Sequence, residues 1–174
     1  MDDRQFKENI DRIRRNEKDG LKNIYEEYNP MIYSTVFEIL RSREDAEDIT
    51  SEFFIRLWDI APGYREGRGH RAWMLTIARN MAIDHIRKRK REELMEEIPD
   101  HGHPGEAFPE EAICSRTTLE QAMDQLKAEE REVVNLKIMG QLTFKEIAAL
   151  LKKPQGTVSW CYQTAIRKLK EVQL

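Results

Sequence analysis

The chain is poor in the features that mark secreted, membrane-spanning and metal-binding proteins. Its 174 residues include two cysteines, Cys114 and Cys161, too few for a disulfide framework or a thiolate zinc site. It contains no run of about 18 apolar residues, which excludes a transmembrane helix. The first residues are polar and lack the apolar segment of a secretory signal. These absences predict a reduced, cytoplasmic protein that binds no metal or cofactor.

Catalytic constellations are missing as well. The four histidines are scattered, and no serine or cysteine has the neighbours that activate a nucleophile. No glycine-rich turn between a strand and a helix is present to cradle a phosphate. Strand-like alternation is absent, whereas apolar residues recur at spacings of three and four. We therefore expect an all-α protein that is not an enzyme.

Charge is segregated along the chain, although the net charge is only -3. Residues 1–63 sum to -5, residues 64–91 to +7, residues 92–113 to -8 and residues 114–174 to +3. Such asymmetry indicates charged partners more reliably than the average does.

Composition also divides the chain into two helical units. Residues 92–115 are acidic, proline-containing and poor in apolar side chains, which is typical of a linker. The sequence therefore predicts one domain over residues 1–91 and a second over residues 116–174.

Local signals place several helices in the first unit. Ser42 is predicted to cap a helix, and Pro30 to begin a new helical turn. A long helix is predicted from about Ala72 to about Arg91. The residues of this helix expected to face a core are Trp73, Ile77, Ala78, Met81, His85 and Ile86.

Residues 143–170 have the proportions of a helix-turn-helix. A capping box at Thr143–Glu146 opens a short helix, and a longer helix follows from Gly156 to Lys170. A second helix placed in this way can enter the major groove of DNA. Its outward residues would be Ser159, Trp160, Gln163, Thr164 and Arg167. A plain helical hairpin that packs on another protein is the alternative.

The long predicted helix ends in five consecutive cations, Arg87–Arg91. Cations suit a helix C-terminus, but five exceed what capping needs and indicate a surface for phosphates. Further arginines of the same surface are Arg65, Arg68, Arg71 and Arg79. Within the predicted loop Tyr64–Arg71, Tyr64 is the candidate for stacking on unpaired bases, whereas Trp73 is expected in the core.

The segment 45–58 changes from acidic to apolar along one predicted helix. Phe54 and Trp58 lie four residues apart and off the predicted apolar stripe, near Asp48 and Glu52. Exposed aromatic side chains with a charged rim are typical of protein interfaces. The segment therefore predicts a protein-binding helix.

Together these segments resemble a bacterial RNA polymerase sigma factor of the extracytoplasmic-function type (group 4). D-A-E-D-I-T-S-E-F-F-I-R-L-W at 45–58 is similar to the family's region 2.2, and residues 72–91 are similar to regions 2.3 and 2.4. T-F-K-E-I-A-A-L-L at 143–151, followed by G-T-V at 156–158, is similar to region 4.2.

The resemblance implies a region 2 helical bundle and a region 4 helix-turn-helix joined by the acidic linker. It implies a non-catalytic initiation factor that binds the beta-prime and beta subunits of core RNA polymerase. Its other partners would be promoter DNA, both duplex and melted non-template strand, and an anti-sigma factor, without membrane insertion.

The resemblance also implies roles for individual residues. The positions matched to polymerase binding are Asp45, Asp48, Glu52, Phe53, Leu57 and Trp58. The positions matched to the minus-ten element are Tyr64, Arg65, Arg68, Arg71, Arg79, Asn80, Arg87, Lys88 and Arg91. The positions matched to the minus-thirty-five element are Thr157, Ser159, Trp160, Gln163, Thr164 and Arg167.

Some positions depart from the family pattern. Lys152 and Pro154 stand where a glycine and a capping serine are usual, and no cation precedes Arg167 in the predicted recognition helix. A helix-turn-helix repressor that binds duplex DNA alone is one alternative, but it leaves residues 45–58 and the acidic linker unexplained. A helical adaptor that binds only protein is another, and it leaves the five-cation block unexplained.

Overall fold

The computed structural model describes residues 1–67, 69–96 and 118–171, and all regular structure within these ranges is helical. In chain order the helices are α1 (Asp3–Arg14), α2 (Lys18–Leu40), α3 (Arg43–Ile60), α4 (His70–Glu96), α5 (Thr118–Asp124), α6 (Ala128–Ile138), α7 (Phe144–Leu151) and α8 (Gln155–Glu171). A single 3-10 turn, Ala61–Gly63, follows α3. The all-α prediction is confirmed. None of the described helices combines the length and apolar character that a bilayer span requires.

The predicted caps begin their helices. The Ser42 hydroxyl accepts a hydrogen bond from the Asp45 backbone N–H at 3.3 Å, at the start of α3. The Thr143 hydroxyl accepts one from the Glu146 N–H, and the Glu146 carboxylate accepts one from the Thr143 N–H at 2.7 Å. These reciprocal bonds satisfy backbone donors that a helix N-terminus leaves unpaired.

The prediction that Pro30 begins a new turn is wrong, because α2 runs through this position without a break. Proline removes the hydrogen bond to the carbonyl four residues earlier, which here belongs to Glu26. Pro30 and Glu26 are both exposed, so water can hydrate that carbonyl.

The long basic helix is also longer than predicted at both ends. Helix α4 begins at His70, so the last two residues of the predicted loop, His70 and Arg71, belong to the helix. It continues to Glu96, five residues into the predicted linker. Lys88 and Arg89 form ion pairs with Glu92 and Glu93, each four residues later, which extends the helix. The rest of the predicted linker, residues 97–115, lies outside the described residues.

The two predicted units pack against each other and share one hydrophobic core. A continuous cluster of buried side chains includes Ile32 and Leu75 from the first unit and Leu136 and Ile147 from the second. Gly140, after α6, permits this close packing. A Cβ atom there would lie 2.9 Å from Leu75 Cδ1 and 2.5 Å from the Leu136 carbonyl oxygen.

Polar contacts complete the interface between the units. Asn135 of α6 is buried; it accepts a hydrogen bond from the Thr35 hydroxyl at 2.9 Å and donates one to the Ser34 hydroxyl at 2.6 Å. Arg79 of α4 forms a 2.6 Å ion pair with Glu132 of α6. The interface is therefore specified by directional bonds as well as by apolar packing.

Charged side chains close one edge of this interface. Arg131 of α6 lies 3.5 Å from Glu38 of α2, and Arg41 is bonded to Asp124. Burial raises the pKa of Glu38 above its ordinary value, although the neighbouring cations of Arg41 and Arg131 act in the opposite direction.

Candidate protein and nucleic-acid interfaces

An apolar groove of about 550 Å³ lies between α2 and α3. We call it the α2–α3 groove; its walls are formed by Lys18, Leu21, Lys22, Tyr25, Ser51, Phe54, Ile55 and Trp58. Tyr25 packs edge-on against Phe54 with ring centroids 4.9 Å apart. Ile55 is 71% exposed and Tyr25 47% exposed, so large apolar surfaces face solvent here. Such a surface on a charged protein is typical of a binding site for another protein.

An acidic surface continues from the groove along α3. Asp48 and Glu52 are exposed and lie on the same side of the helix as Ile55, at spacings of four and three residues. The two lysines of the groove, Lys18 and Lys22, belong to α2. The combined surface therefore changes from acidic to apolar along α3, as the segment 45–58 predicted.

The structure separates the six predicted polymerase-binding residues into different environments. Asp48 and Glu52 are exposed, and Trp58 lines the α2–α3 groove. Phe53 and Leu57 are fully buried and support the helix from the core side. A fully buried side chain presents no surface to a partner, so Phe53 and Leu57 could act only by holding α3 in place, and the assignment of all six residues to polymerase binding stays a prediction.

Asp45 and Phe54 of the same segment both contact neighbouring helices. Asp45 lies 3.3 Å from Arg89 and 3.4 Å from His85, so it connects α3 to α4. Phe54 was expected to be exposed but is 4% exposed, because Tyr25 covers it. Sequence reasoning missed Tyr25, because the local sequence of α2 gives no sign that this side chain covers a residue of α3.

The basic half of α4 projects into solvent. Asn80, Arg87, Lys88 and Arg91 are all exposed, as a surface for phosphates requires. Arg87 and Lys88 pair with acidic residues of their own helix at 3.6 and 3.9 Å, and both are 72% exposed. Exposed pairs of this kind contribute little stability, so phosphates can replace the acidic partners.

Two other predicted minus-ten residues are engaged within the protein. Arg79 is held by Glu132, with less than a quarter of either side chain exposed. The Arg71 guanidinium lies 5.2 Å from the centroid of the Tyr28 ring, a cation–π contact. Arg65 is exposed, and Arg68 lies outside the described residues.

Tyr64 is not exposed for stacking on bases, contrary to the prediction. Its side chain is 5% exposed and packs edge-on against Phe6 at 5.1 Å and Trp73 at 5.0 Å. Burial raises the pKa of its phenol above the ordinary value. The reason for the error is Phe6, because α1 supplies an aromatic partner that the local sequence around Tyr64 does not reveal.

A buried histidine fixes the start of α4. Burial lowers the pKa of His70 although the Asp3 carboxylate favours the charged ring, so the neutral form is present at neutral pH. The Nδ1–H then donates to Asp3, and Nε2 accepts from the Tyr28 hydroxyl at 2.6 Å. Burial also raises the pKa of Tyr28 to about 12, which keeps that hydroxyl protonated.

Helices α7 and α8 form the predicted helix-turn-helix. Lys152 ends α7 in the left-handed conformation, with φ +54, which is unusual for a residue with a Cβ atom. The Ala148 carbonyl accepts from the backbone N–H groups of Lys152 and Lys153, so the turn is hydrogen-bonded. Phe144 and Tyr162 then hold the two helices together, with ring centroids 5.4 Å apart.

The outward face of α8 carries the predicted minus-thirty-five residues. Thr157, Trp160, Gln163 and Arg167 are exposed, and Ser159 and Thr164 are partly exposed. Trp160 is 67% exposed, although tryptophan usually packs in a core. The arrangement places mainly uncharged side chains where a recognition helix meets base edges.

A partly buried ion pair anchors α8 to α6. Lys168 Nζ lies 2.7 Å from Glu130, and the Glu130 side chain is 8% exposed. Burial alone would raise the pKa of Glu130. Hydrogen bonds from Lys168 and from the Lys127 N–H outweigh this effect, so the pKa lies below the ordinary value. The described residues contain no group of three or more His, Cys, Asp or Glu side chains that could hold a metal ion.

An acid-to-apolar helix, a basic helix and a helix-turn-helix define a helical protein built to contact both protein and DNA. Comparison with known families gives the same result: Sigma-70 region 2 matches residues 24–92 and Sigma-70 region 4 matches residues 122–171. The chain is 29% identical to the ECF RNA polymerase sigma factor BldN of Streptomyces coelicolor, over 97% of this chain and 66% of that protein. It is 28% identical to the ECF RNA polymerase sigma factor SigW of Bacillus subtilis, over 88% of each chain.

The chain belongs to the sigma factors of the extracytoplasmic-function type, which are non-catalytic transcription initiation factors. Its fold is similar to that of the sigma factor RpoE from Bartonella quintana in complex with the anti-sigma factor NepR, with a TM-score of 0.66, 21% identity and coverage of 86% of this chain and 94% of that one. It is also similar to CnrH in complex with the cytosolic domain of CnrY, with a TM-score of 0.64, 17% identity and coverage of 97% and 96%.

Proposed function

We propose that this protein directs core RNA polymerase to specific promoters and carries no active site of its own. It acts in the cytoplasm, where the polymerase is. The α2–α3 groove and the acidic face of α3 bind the polymerase, the basic half of α4 holds the melted non-template strand, and α8 reads the upstream duplex. The first domain comprises residues 1–91, and the second comprises residues 116–174.

The surface of α3 is the observation that carries this proposal. A repressor that binds DNA on its own needs no apolar groove beside exposed Asp48 and Glu52. A protein that must attach to a much larger enzyme needs such a surface, and aromatic side chains such as Trp58 commonly dominate binding energy at interfaces. The positive charge of α4 supports the proposal that this helix holds DNA, because exposed cations attract the phosphate backbone whatever its sequence.

Because each DNA-binding surface is weak by itself, we expect the protein to bind promoters only together with the polymerase. Helix α8 presents Arg167 as the cation of its predicted readout set, so its attraction to phosphates is modest. When the polymerase holds both surfaces on one promoter, the second contact gains from effective concentration. We expect weak promoter binding by the isolated protein in a gel-shift assay; tight, specific binding without polymerase would favour the repressor alternative.

Regulation by an anti-sigma factor is part of the proposal. One solved structure of similar fold contains such a protein, NepR. The α2–α3 groove is an apolar surface that a second protein could cover, and covering it would compete with the polymerase.

Run-off transcription tests the function as a whole. Purified core RNA polymerase is combined with this protein and a library of bacterial promoter fragments, and the transcripts are sequenced. We expect transcription from a small set of promoters that core polymerase alone does not use. Absence of added transcripts, together with failure to co-elute with core polymerase, contradicts the proposal.

Substitutions in the α2–α3 groove test the polymerase-binding surface. Trp58→Ala should weaken binding of core polymerase by about 2 kcal/mol, or roughly 30-fold in Kd, because truncating a central aromatic anchor has effects of that size. Ile55→Ala should also weaken binding, and because Ile55 is 71% exposed, its truncation leaves the core intact. Leu94→Ala, at an exposed apolar position on α4, serves as the control in the same pull-down. Unchanged binding by both groove variants would remove the groove from the interface.

A further inference from the structure

Helix α1 precedes the segment that matches Sigma-70 region 2, which begins at residue 24. It nevertheless packs into the core and forms hydrogen bonds and ion pairs with residues between α3 and α4. The side chains on its inward face are fully buried or nearly so, and they include Phe6, Ile10 and Ile13. Its polar side chains reach the α3–α4 connection, which we define as residues 61–67 and 69.

The first contact holds the beginning of this connection. Arg14 Nη2 donates to the backbone carbonyl oxygens of Pro62 at 3.2 Å and Tyr64 at 3.1 Å. Asp11, one turn earlier on α1, lies 2.7 Å from Arg14 Nη1 and orients the guanidinium. One side chain from another helix thus fixes two backbone carbonyls, one within the 3-10 turn and one directly after it.

Two further contacts hold the middle and the end of the connection. Lys7 Nζ lies 2.8 Å from the Glu66 carboxylate. Asp3 accepts hydrogen bonds from the His70 ring and from the His70 backbone N–H at the first residue of α4. Residues spread along α1 therefore contact successive parts of the connection.

The connection needs such support because its own sequence does not fix its shape. Gly67 and Gly69 have φ angles of +92 and +73, a region that glycine occupies readily and other residues avoid. Aromatic packing adds to the support, since the Phe6 ring lies 5.1 Å from Tyr64 and stacks on His70 at 4.7 Å. Removal of α1 would take the Phe6 ring away from both side chains.

We propose that α1 positions the α3–α4 connection for selection of a minus-ten base, and that Arg14 is its principal positioning residue. The inference rests on the proposed function and deepens it, because Tyr64 and Arg65 of this connection are among the residues that the resemblance assigns to the minus-ten element. A pocket for a flipped base must be held in shape before binding, because a displacement of about 1 Å can reduce the efficiency of a positioned site by up to about 100-fold. Arg14 does not contact DNA in this account; it acts through the carbonyls of Pro62 and Tyr64.

The test measures base preference rather than activity alone. Arg14→Ala is prepared in the full chain and assayed with core polymerase on promoters that carry each of the four bases at every minus-ten position. We expect the preference at one or two positions to fall by about tenfold, while affinity for core polymerase and melting temperature stay at the wild-type values. Arg14→Lys, which can still donate to the two carbonyls, should restore part of the preference.

Arg4→Ala is the matched control. Arg4 lies on the same helix, is 88% exposed and pairs with Glu8 at 3.3 Å, so its truncation should leave the preference unchanged. Wild-type base preference in Arg14→Ala overturns the inference. A uniform loss at every base, with a lower melting temperature, also overturns it because it shows a purely structural role. If the wild-type protein itself fails to direct transcription, the proposed function fails first, and the two failures are distinguishable.

Discussion

Tyr64 and Tyr28 are both buried beside α1, but their hydroxyl groups have different environments. The Tyr64 hydroxyl has no hydrogen-bond partner within the described residues. The Tyr28 hydroxyl lies 2.6 Å from His70 Nε2. Because a buried, unpaired polar group costs about 1–3 kcal/mol, the two phenols should respond oppositely to loss of their oxygen.

Tyr64→Phe should therefore stabilise the protein, whereas Tyr28→Phe should destabilise it. A gain of about 1 kcal/mol for Tyr64→Phe corresponds to a rise in melting temperature of roughly 2–4 °C for a chain of this size. Tyr28→Phe leaves the His70 ring nitrogen without its donor and should lower the melting temperature. Thermal unfolding followed by circular dichroism measures both. A fall for Tyr64→Phe would mean that its hydroxyl has a partner.

At the residue scale, the exposure of a side chain was predictable only where it depends on that residue's own helix. Asp48 and Glu52 are exposed as expected, because charged side chains in the predicted polar face of α3 have few alternatives. Tyr64 and Phe54 are covered by Phe6 and Tyr25, which come from other helices. The local sequence holds no information on such partners, so two aromatic side chains assigned to surfaces are buried.

At the scale of the element, the capped starts of α3 and α7 were predictable, whereas only Ala78 and Met81 of the predicted core residues of α4 are buried. The caps at Ser42 and Thr143 are local hydrogen bonds, and local sequence encodes them. Helix α4 contacts α2 and α3, and also α7. Its fully buried residues therefore include Met74, Leu75 and Ala82, outside the predicted stripe. A helix with neighbours on several sides has no single apolar stripe to detect.

The Glu130–Lys168 pair makes the stability of the protein depend on pH. The pKa of Glu130 in the folded protein lies below the value of 4.5 for an unperturbed glutamate. Its contribution to stability is therefore fully present above about pH 4.5 and is lost as the pH falls through the folded pKa. Glu130→Gln should lower the melting temperature at pH 7, and the difference from wild type should shrink below pH 4.5.

The control for this prediction is Glu129→Gln on the same helix. Glu129 also pairs with a lysine, Lys153 at 2.8 Å, but its side chain is 73% exposed. Exposed pairs contribute little, so Glu129→Gln should change the melting temperature only slightly at either pH. A difference between wild type and Glu130→Gln that does not vary with pH would show that the ionised carboxylate is not what stabilises α8.

At the scale of the whole molecule, the arrangement of the two units could not be predicted. Composition indicated a linker over residues 92–115, and a linker of that kind fixes no geometry. The packing depends on Gly140 beside Leu75 and on Asn135 beside Ser34 and Thr35. These pairs join residues far apart in sequence, so no local pattern reveals them.

This packing affects a predicted minus-ten residue, because Arg79 is held in an ion pair with Glu132 of α6. For Arg79 to meet a phosphate, α6 must move away from α4 or Glu132 must be displaced. Glu132→Arg places two cations opposite each other at the interface, where a close like-charge contact is unfavourable. We expect this variant to populate a more open arrangement, seen as a larger radius of gyration in small-angle X-ray scattering.

A charge swap separates electrostatic repulsion from general damage to the interface. The double variant Arg79→Glu with Glu132→Arg restores opposite charges at the same two positions and should return the radius of gyration toward the wild-type value. Asn80→Arg, at an exposed position of α4 next in sequence to Arg79, adds a cation outside this ion pair and should leave the radius unchanged. If Glu132→Arg stays as compact as wild type, the apolar core and the Asn135 hydrogen bonds suffice to hold the units together. The interface would then open only when a partner such as the polymerase binds one unit more tightly in the separated state.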